Sequence, residues 1–216
     1  MIRTLIGLAA AASLSSLALA QSTSDARAID SFEQLDAGGN FDLRFEPSET
    51  ASIRFEGDVD DIDDINIDMD GDRLEVRQDG RRFFRIGRRR NLDVTVIVTG
   101  PGVERFEFSR GVDANVSGLA LDSVSIHAST GADLEIDGRC ESARIHVSTG
   151  ANIDGRDLIC ESIRAHASTG ADMDIAAENE LVAHASTGGD IHSVTSPANL
   201  RMHTSTGGDV SVGRYR

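Results

Sequence analysis

Five histidines, His127, His146, His166, His184 and His203, recur every 18 to 20 residues, each in the frame His-x-Ser-Thr-Gly. Imidazole can serve as a general base for a serine or as a ligand for a transition metal. Six residues after each histidine stands Asp133, Asn152, Asp172, Asp190 or Asp209, oxygen donors of the kind calcium takes. A catalytic site, however, needs a nucleophile, a base and an orienting acid to converge on one point. Here each serine has the same surroundings as the next, so no catalytic residue is expected. The histidine rows bring no carboxylate with them to close a coordination sphere, so no metal is expected either. Calcium-binding repeats run at about nine residues, whereas the period here is about 19. The aspartates are read instead as partners of turn N–H groups.

Self-similarity at this period indicates stacked units, none of which buries a core alone. Within a unit the apolar positions alternate, the period of a strand. Val124, Ile126 and Ala128 point inward, and Ser125, His127 and Ser129 outward. After Thr130-Gly131, Leu134 and Ile136 return to the inside, leaving Asp133 and Glu135 outside. Ala143, Ile145, Val147 and Ile153 repeat the pattern. The expectation is a parallel β-helix of about six coils over 103–216, right-handed, with two strands per coil and about 4.8 Å between coils. Ser-Thr-Gly marks the turn, its hydroxyls satisfying local backbone and its glycine taking positive φ. The histidines then form an exposed ladder, with Ser125, Arg144, Arg164, Val182 and Arg201 as a neighbouring row. In the coil before the first full repeat, Phe106, Glu107 and Phe108 replace Ile126, His127 and Ala128. Cys140 and Cys160 occupy equivalent places one coil apart, within reach of a disulfide.

The preceding stretch, 29–102, has alternating strands without the repeat and a hairpin turn at Asp70-Gly71. It is expected to cap the solenoid. Two charge runs stand out in it. The acidic "DVDDIDDINIDMDGD" has its glycine in the wrong place for a calcium loop. The basic "RRFFRIGRRR" supplies Arg81, Arg82, Arg85, Arg88, Arg89 and Arg90, the first choice for contact with anionic ligand, since guanidinium pairs bidentately with phosphate and carboxylate.

Residues 1–20, "MIRTLIGLAAAASLSSLALA", read as a secretory signal peptide ending in a small-residue cleavage site, followed by a flexible 21–28. No later segment is apolar enough to cross a bilayer, so an exported protein, periplasmic or extracellular, is expected. Export also favours the Cys140–Cys160 bond. The net charge of −15 argues against nucleic acid as a partner. All 21 basic residues are arginine, and with no tryptophan and few aromatics there is little to build a stacking platform for sugars.

The segments "SFEQLDAGGNFDLRFEPSETASIRFEGD", "DGDRLEV" and "VTVIVTGPGVERFEFSRGVDANVSG", followed by short repeats with small-residue turns, resemble the head GIN domain family. That family carries the label of autotransporter adhesins. The resemblance spans nearly all of the chain beyond the leader and implies a β-helix-like extracytoplasmic domain. Together these readings give an all-β, non-catalytic binding or adhesion module of the cell envelope without a cofactor. Its partner is an envelope glycan, an anionic lipid or a protein. The alternatives are a purely structural envelope module and a glycan-active β-helix enzyme.

Overall fold

In the computed structural model the described residues are 22–23, 26–79 and 91–213. The strands are β1 (Ser22–Thr23), β2 (Arg27–Ala28), β3 (Gln34–Gly38), β4 (Asp42–Pro47), β5 (Ser52–Gly57), β6 (Ile65–Asp70), β7 (Arg73–Gln78) and β8 (Val94–Gly100). They continue as β9 (Arg105–Ser109), β10 (Asp113–Ser129), β11 (Asp133–Ser148), β12 (Asn152–Ser168), β13 (Asp172–Ser186), β14 (Asp190–Ser193), β15 (Asn199–Ser205) and β16 (Asp209–Val212). One short helix, α1 (Val59–Ile62), lies between β5 and β6.

Strands β10 to β13 pair in parallel, residue on equivalent residue, and make a β-solenoid of about five turns. Each long strand bends around the stack in three stretches rather than two. On β10 they are 113–116, 119–121 and 123–129, pairing with 133–136, 138–140 and 142–148 of β11. A register shift between Val116 and Leu119 marks the first corner, and Asp122 interrupts the pairing at the second. At one corner Gly138 has φ +137, and a Cβ there would lie 2.4 Å from the Leu119 carbonyl oxygen. Only glycine lets the two coils approach so closely. The short middle stretch carries too few residues for its alternation to stand out in the sequence.

The inward positions are those that alternation assigns. Val124, Ile126, Ala128, Leu134 and Ile136 are buried, as are Ala143, Ile145, Val147 and Ile153. Each removes its apolar surface from water, worth roughly 1.5–3 kcal/mol for a Val, Leu or Ile. Phe106 and Phe108 stand in register with Ile126 and Ala128. Phe106 packs edge-on against Phe45, with ring centroids 5.2 Å apart.

Parallel stacking also runs through earlier strands. β9 and β4 pair with the last and first stretches of β10, β3 lies between β9 and β7, and β8 extends the sheet beyond β4. Beyond them the chain turns antiparallel, β5 on β8 and β6 on β7. The β6–β7 hairpin forms at the expected place, with Gly71 at φ +63 and Asp70 paired to Arg73. A single hydrophobic cluster runs from Phe32 to Ile191.

The Ser-Thr-Gly turn works differently from the expectation. Both threonine and glycine take positive φ: +55 and +71 at Thr130-Gly131, and +51 and +78 at Thr206-Gly207. The turn closes through backbone, with Ala132 N–H donating to the Ser129 carbonyl. Successive turns are stitched together as well, the Gly131, Gly150, Gly170 and Gly188 N–H groups each donating to the threonine carbonyl of the next coil at 3.2 Å. Among the described residues the serine and threonine hydroxyls of these turns make no hydrogen bond to backbone. A β-branched residue at positive φ is strained, and from Thr149 to Thr206 its carbonyl accepts the glycine N–H of the preceding coil.

Candidate functional site

The five histidines lie in register on β10 to β13 and β15, outside the core. Their ring centroids are 4.7 to 4.9 Å apart along the whole ladder. His127 and His203 at its ends are exposed, and the three between them are half-buried by their neighbours. Burial, aided by the imidazoles of His127 and His166, holds His146 below the ordinary histidine value. Burial and His184 do the same to His166. A proton on either ring is poorly solvated and repelled along the stack. At neutral pH these two rings are therefore neutral. Glu107 continues the row on β9 and Asp36 on β3.

Beside the imidazoles runs the row Arg105, Ser125, Arg144, Arg164, Val182 and Arg201, and beyond it Ser123, Ser142, Ser162 and Glu180. These two rows, from Arg105 to Val182 and from Ser123 to Glu180, line a groove of about 450 Å³. Carboxylates stand at its ends: Glu33 and Glu104 line the groove with Arg105, which donates to Gln34, and Arg201 pairs with Glu180 at 3.2 Å. Its middle has none. Arg144 and Arg164 are adjacent in register, both exposed, and among the described residues neither forms an ion pair or a side-chain hydrogen bond. Ser142 and Ser162 each reach only a backbone carbonyl, at 3.5 and 3.4 Å. Two unpaired guanidiniums flanked by hydroxyls match an anionic group bearing several oxygens.

A second face is acidic. Asp42, Asp113, Asp133, Asn152, Asp172, Asp190 and Asp209 stack in one row. Burial, then Asp133 and Asp42, push the Asp113 carboxyl up; burial, then Asp190 and Asp174, do so at Asp172. Asn152 relieves the row by donating to Asp133 at 2.6 Å. In the next row Arg156 binds Asp154 and lowers its pKa. The acidic run of 58–72 is spread over α1 and the β6–β7 hairpin: Asp58 caps α1, and Asp61 accepts the Asp93 N–H at 2.9 Å.

Cys140 and Cys160 form a disulfide with Cα atoms 4.5 Å apart, on the middle stretch that the sequence did not reveal. Arg81, Arg82, Arg85, Arg88, Arg89 and Arg90 lie outside the described residues. The Arg144–Arg164 pair was visible in the sequence as part of a row. What the sequence could not show is that carboxylates reach the ends of that row and not its centre.

A family model described as "Putative auto-transporter adhesin, head GIN domain" matches residues 31–197. No curated protein shows a significant match. A "putative adhesin" from Bacteroides fragilis shares the fold, with a TM-score of 0.69 and 16% identity over 92% of this chain and 98% of that one. Looser overlaps occur with a "putative lipid binding protein" from Parabacteroides distasonis (TM-score 0.48, 13% identity, 88% and 96% covered). Another is with a "putative adhesin" from Parabacteroides merdae (TM-score 0.44, 16% identity, 88% and 95% covered). The family match spans most of the chain and both of its textures, the repeat-free strands and the coils: the protein belongs to the head GIN domain family.

Proposed function

We propose that the protein is an exported, non-catalytic binding domain of the cell envelope that holds an acidic glycan in the groove over Arg144 and Arg164. The uncompensated guanidinium pair carries this reading, because like charges held one coil apart repel until an anion lies across them. Uronate or phosphate groups on an extended glycan suit the bidentate geometry of arginine. The adhesin label of the family is in keeping with a surface role. Among the described residues no helix is long and apolar enough to cross a membrane. The leader at residues 1–20 supports export. We take the role as non-catalytic because the serines and histidines of successive coils share the same surroundings, which gives no single point for chemistry.

A glycan array with neutral, uronic-acid and phosphorylated members tests the proposal, with phosphatidylglycerol and phosphatidylcholine vesicles alongside. Wild-type protein should retain acidic glycans in a salt-sensitive manner. The double change Arg144→Ala and Arg164→Ala should weaken retention at least tenfold, since a hydrogen bond to a charged group is worth about 1.5–3 kcal/mol. Unchanged retention by the double variant, or binding to neutral glycans or vesicles alone, would refute the assignment.

A further inference from the structure

The repetition also breaks at the turn before the first full coil. Ser109-Arg110-Gly111 has the backbone of a Ser-Thr-Gly turn, with φ +63 at Arg110 and +86 at Gly111. An arginine stands there where the other five turns carry threonine. Beside it β3 departs from its row as well. Gly38 pairs in register with Ser109, and the row continues as Ser129, Ser148, Ser168, Ser186 and Ser205. Gly38 is not at positive φ, so its conformation does not call for glycine. The space does. A Cβ at position 38 would lie 2.5 Å from Arg77 Nη1, 2.6 Å from Arg110 Nη2 and 2.9 Å from Ser109 Oγ.

Three donors therefore surround one point above Gly38. Both guanidinium nitrogens lie within 2.6 Å of it, so they are no more than about 5 Å apart. Like charges this close repel unless an anion lies between them. The carboxylates of the neighbourhood are engaged elsewhere. Buried Asp36 binds Arg73 and the other terminal nitrogen of Arg77. Glu75 and Glu107 gather on Arg73, at 3.3 and 3.8 Å. Arg77 Nη1 is left buried without an acceptor. Among the described residues Arg110 forms no ion pair, and its one hydrogen bond goes to the Gly38 carbonyl at 3.4 Å.

We propose that Arg77 and Arg110 hold a phosphoryl group over Gly38, with the Ser109 hydroxyl as a third donor. This anion site is separate from the groove over Arg144 and Arg164 and lies across the row of Asp36, Glu107 and His127 from it. Donors from three side chains need acceptor oxygens turned in several directions. A phosphoryl group offers three and a carboxylate only two. A charge-assisted bond from the buried Arg77 nitrogen is strengthened by the low dielectric around it. Arg110 is exposed and held by one long bond, so its side chain turns aside at little cost and admits the ligand.

Binding is read in protein carrying Arg144→Ala and Arg164→Ala, so that the groove pair contributes nothing. In NMR titrations with inorganic phosphate and, separately, glucose 6-phosphate, the Gly38 and Gly111 amides should shift saturably with at least one probe. The tighter of the two identifies a free ion or a phosphate ester as the ligand. Acetate at matched ionic strength should bind at least tenfold more weakly. Arg110→Thr restores the residue of the other five turns, which keeps the fold, and should weaken binding at least tenfold. Thr130→Ala, in the equivalent turn one coil on, should leave it unchanged. Absence of a saturable shift with both probes overturns the proposal. So does acetate binding as tightly as phosphate, or an Arg110→Thr protein that binds like its parent.

Discussion

The Cys140–Cys160 disulfide joins adjacent coils and closes a loop with a sequence separation of 20. In the chain-entropy relation a loop of that length restricts the unfolded chain by about 3 kcal/mol. For a domain of this size each kcal/mol moves the melting temperature by roughly 2–4 °C, so reduction should lower it by about 6–12 °C. Cys160 is fully buried and Cys140 nearly so, which makes the experiment separable into two parts. Reduced wild-type protein keeps both sulfurs in the core and loses only the loop constraint. The double change Cys140→Ala and Cys160→Ala loses the constraint and leaves space where the sulfurs were, so it should melt lower still. Scanning calorimetry of oxidised, reduced and double-variant protein, with thiols counted by mass spectrometry, gives all three values. A shift below about 2 °C on full reduction would refute the reasoning: the unfolded chain would then already hold its coils together. Two free thiols in the natively exported protein would refute the bond itself.

Other perturbations divide inside from outside. Ile145→Asp places an unpaired charge in the core and should be severe, while His166→Ala should cost under about 1 kcal/mol; comparable urea midpoints for the two would reverse the assignment. NMR titration should find His146 and His166 below the ordinary value of 6.5. With the folded pKa below the unfolded one, the unfolded chain binds more protons in that window. Stability should therefore be flat above about pH 6.5 and decline as acid charges the ladder, and His146→Gln with His166→Gln should flatten the decline. Asp113 and Asp172 act with the opposite sign nearer the carboxylate range, because their raised folded pKa makes protonation stabilising there. Gly170→Ala meets open space at φ +66 and should cost about 1–2 kcal/mol from the left-handed backbone alone. Gly138→Ala drives a methyl into the Leu119 carbonyl and should cost distinctly more; equal thermal shifts would show that the coils can part there.

What the sequence revealed and what it hid follow from one property of parallel coils. Main-chain pairing sets each residue over its equivalent in the next coil, so anything repeated in the sequence becomes a row in space. The histidine ladder, the aspartate row and the alternation around Ile126 and Ile145 were legible for that reason. The middle stretch was not: Gly138-Arg139-Cys140 is too short for an alternation, and only its pairing identifies it as a strand. The turn chemistry was misread because Ser-Thr-Gly suggests hydroxyl partners, whereas the stitching runs through the threonine carbonyl, an atom every residue has. The features that bear on binding are breaks in the repetition. Arg144 and Arg164 matter because Ser125 and Val182 interrupt their row on either side and the carboxylates lie beyond. In a periodic fold the period supplies the scaffold, so a local departure from it, uncompensated by charge, is where a partner has something to gain.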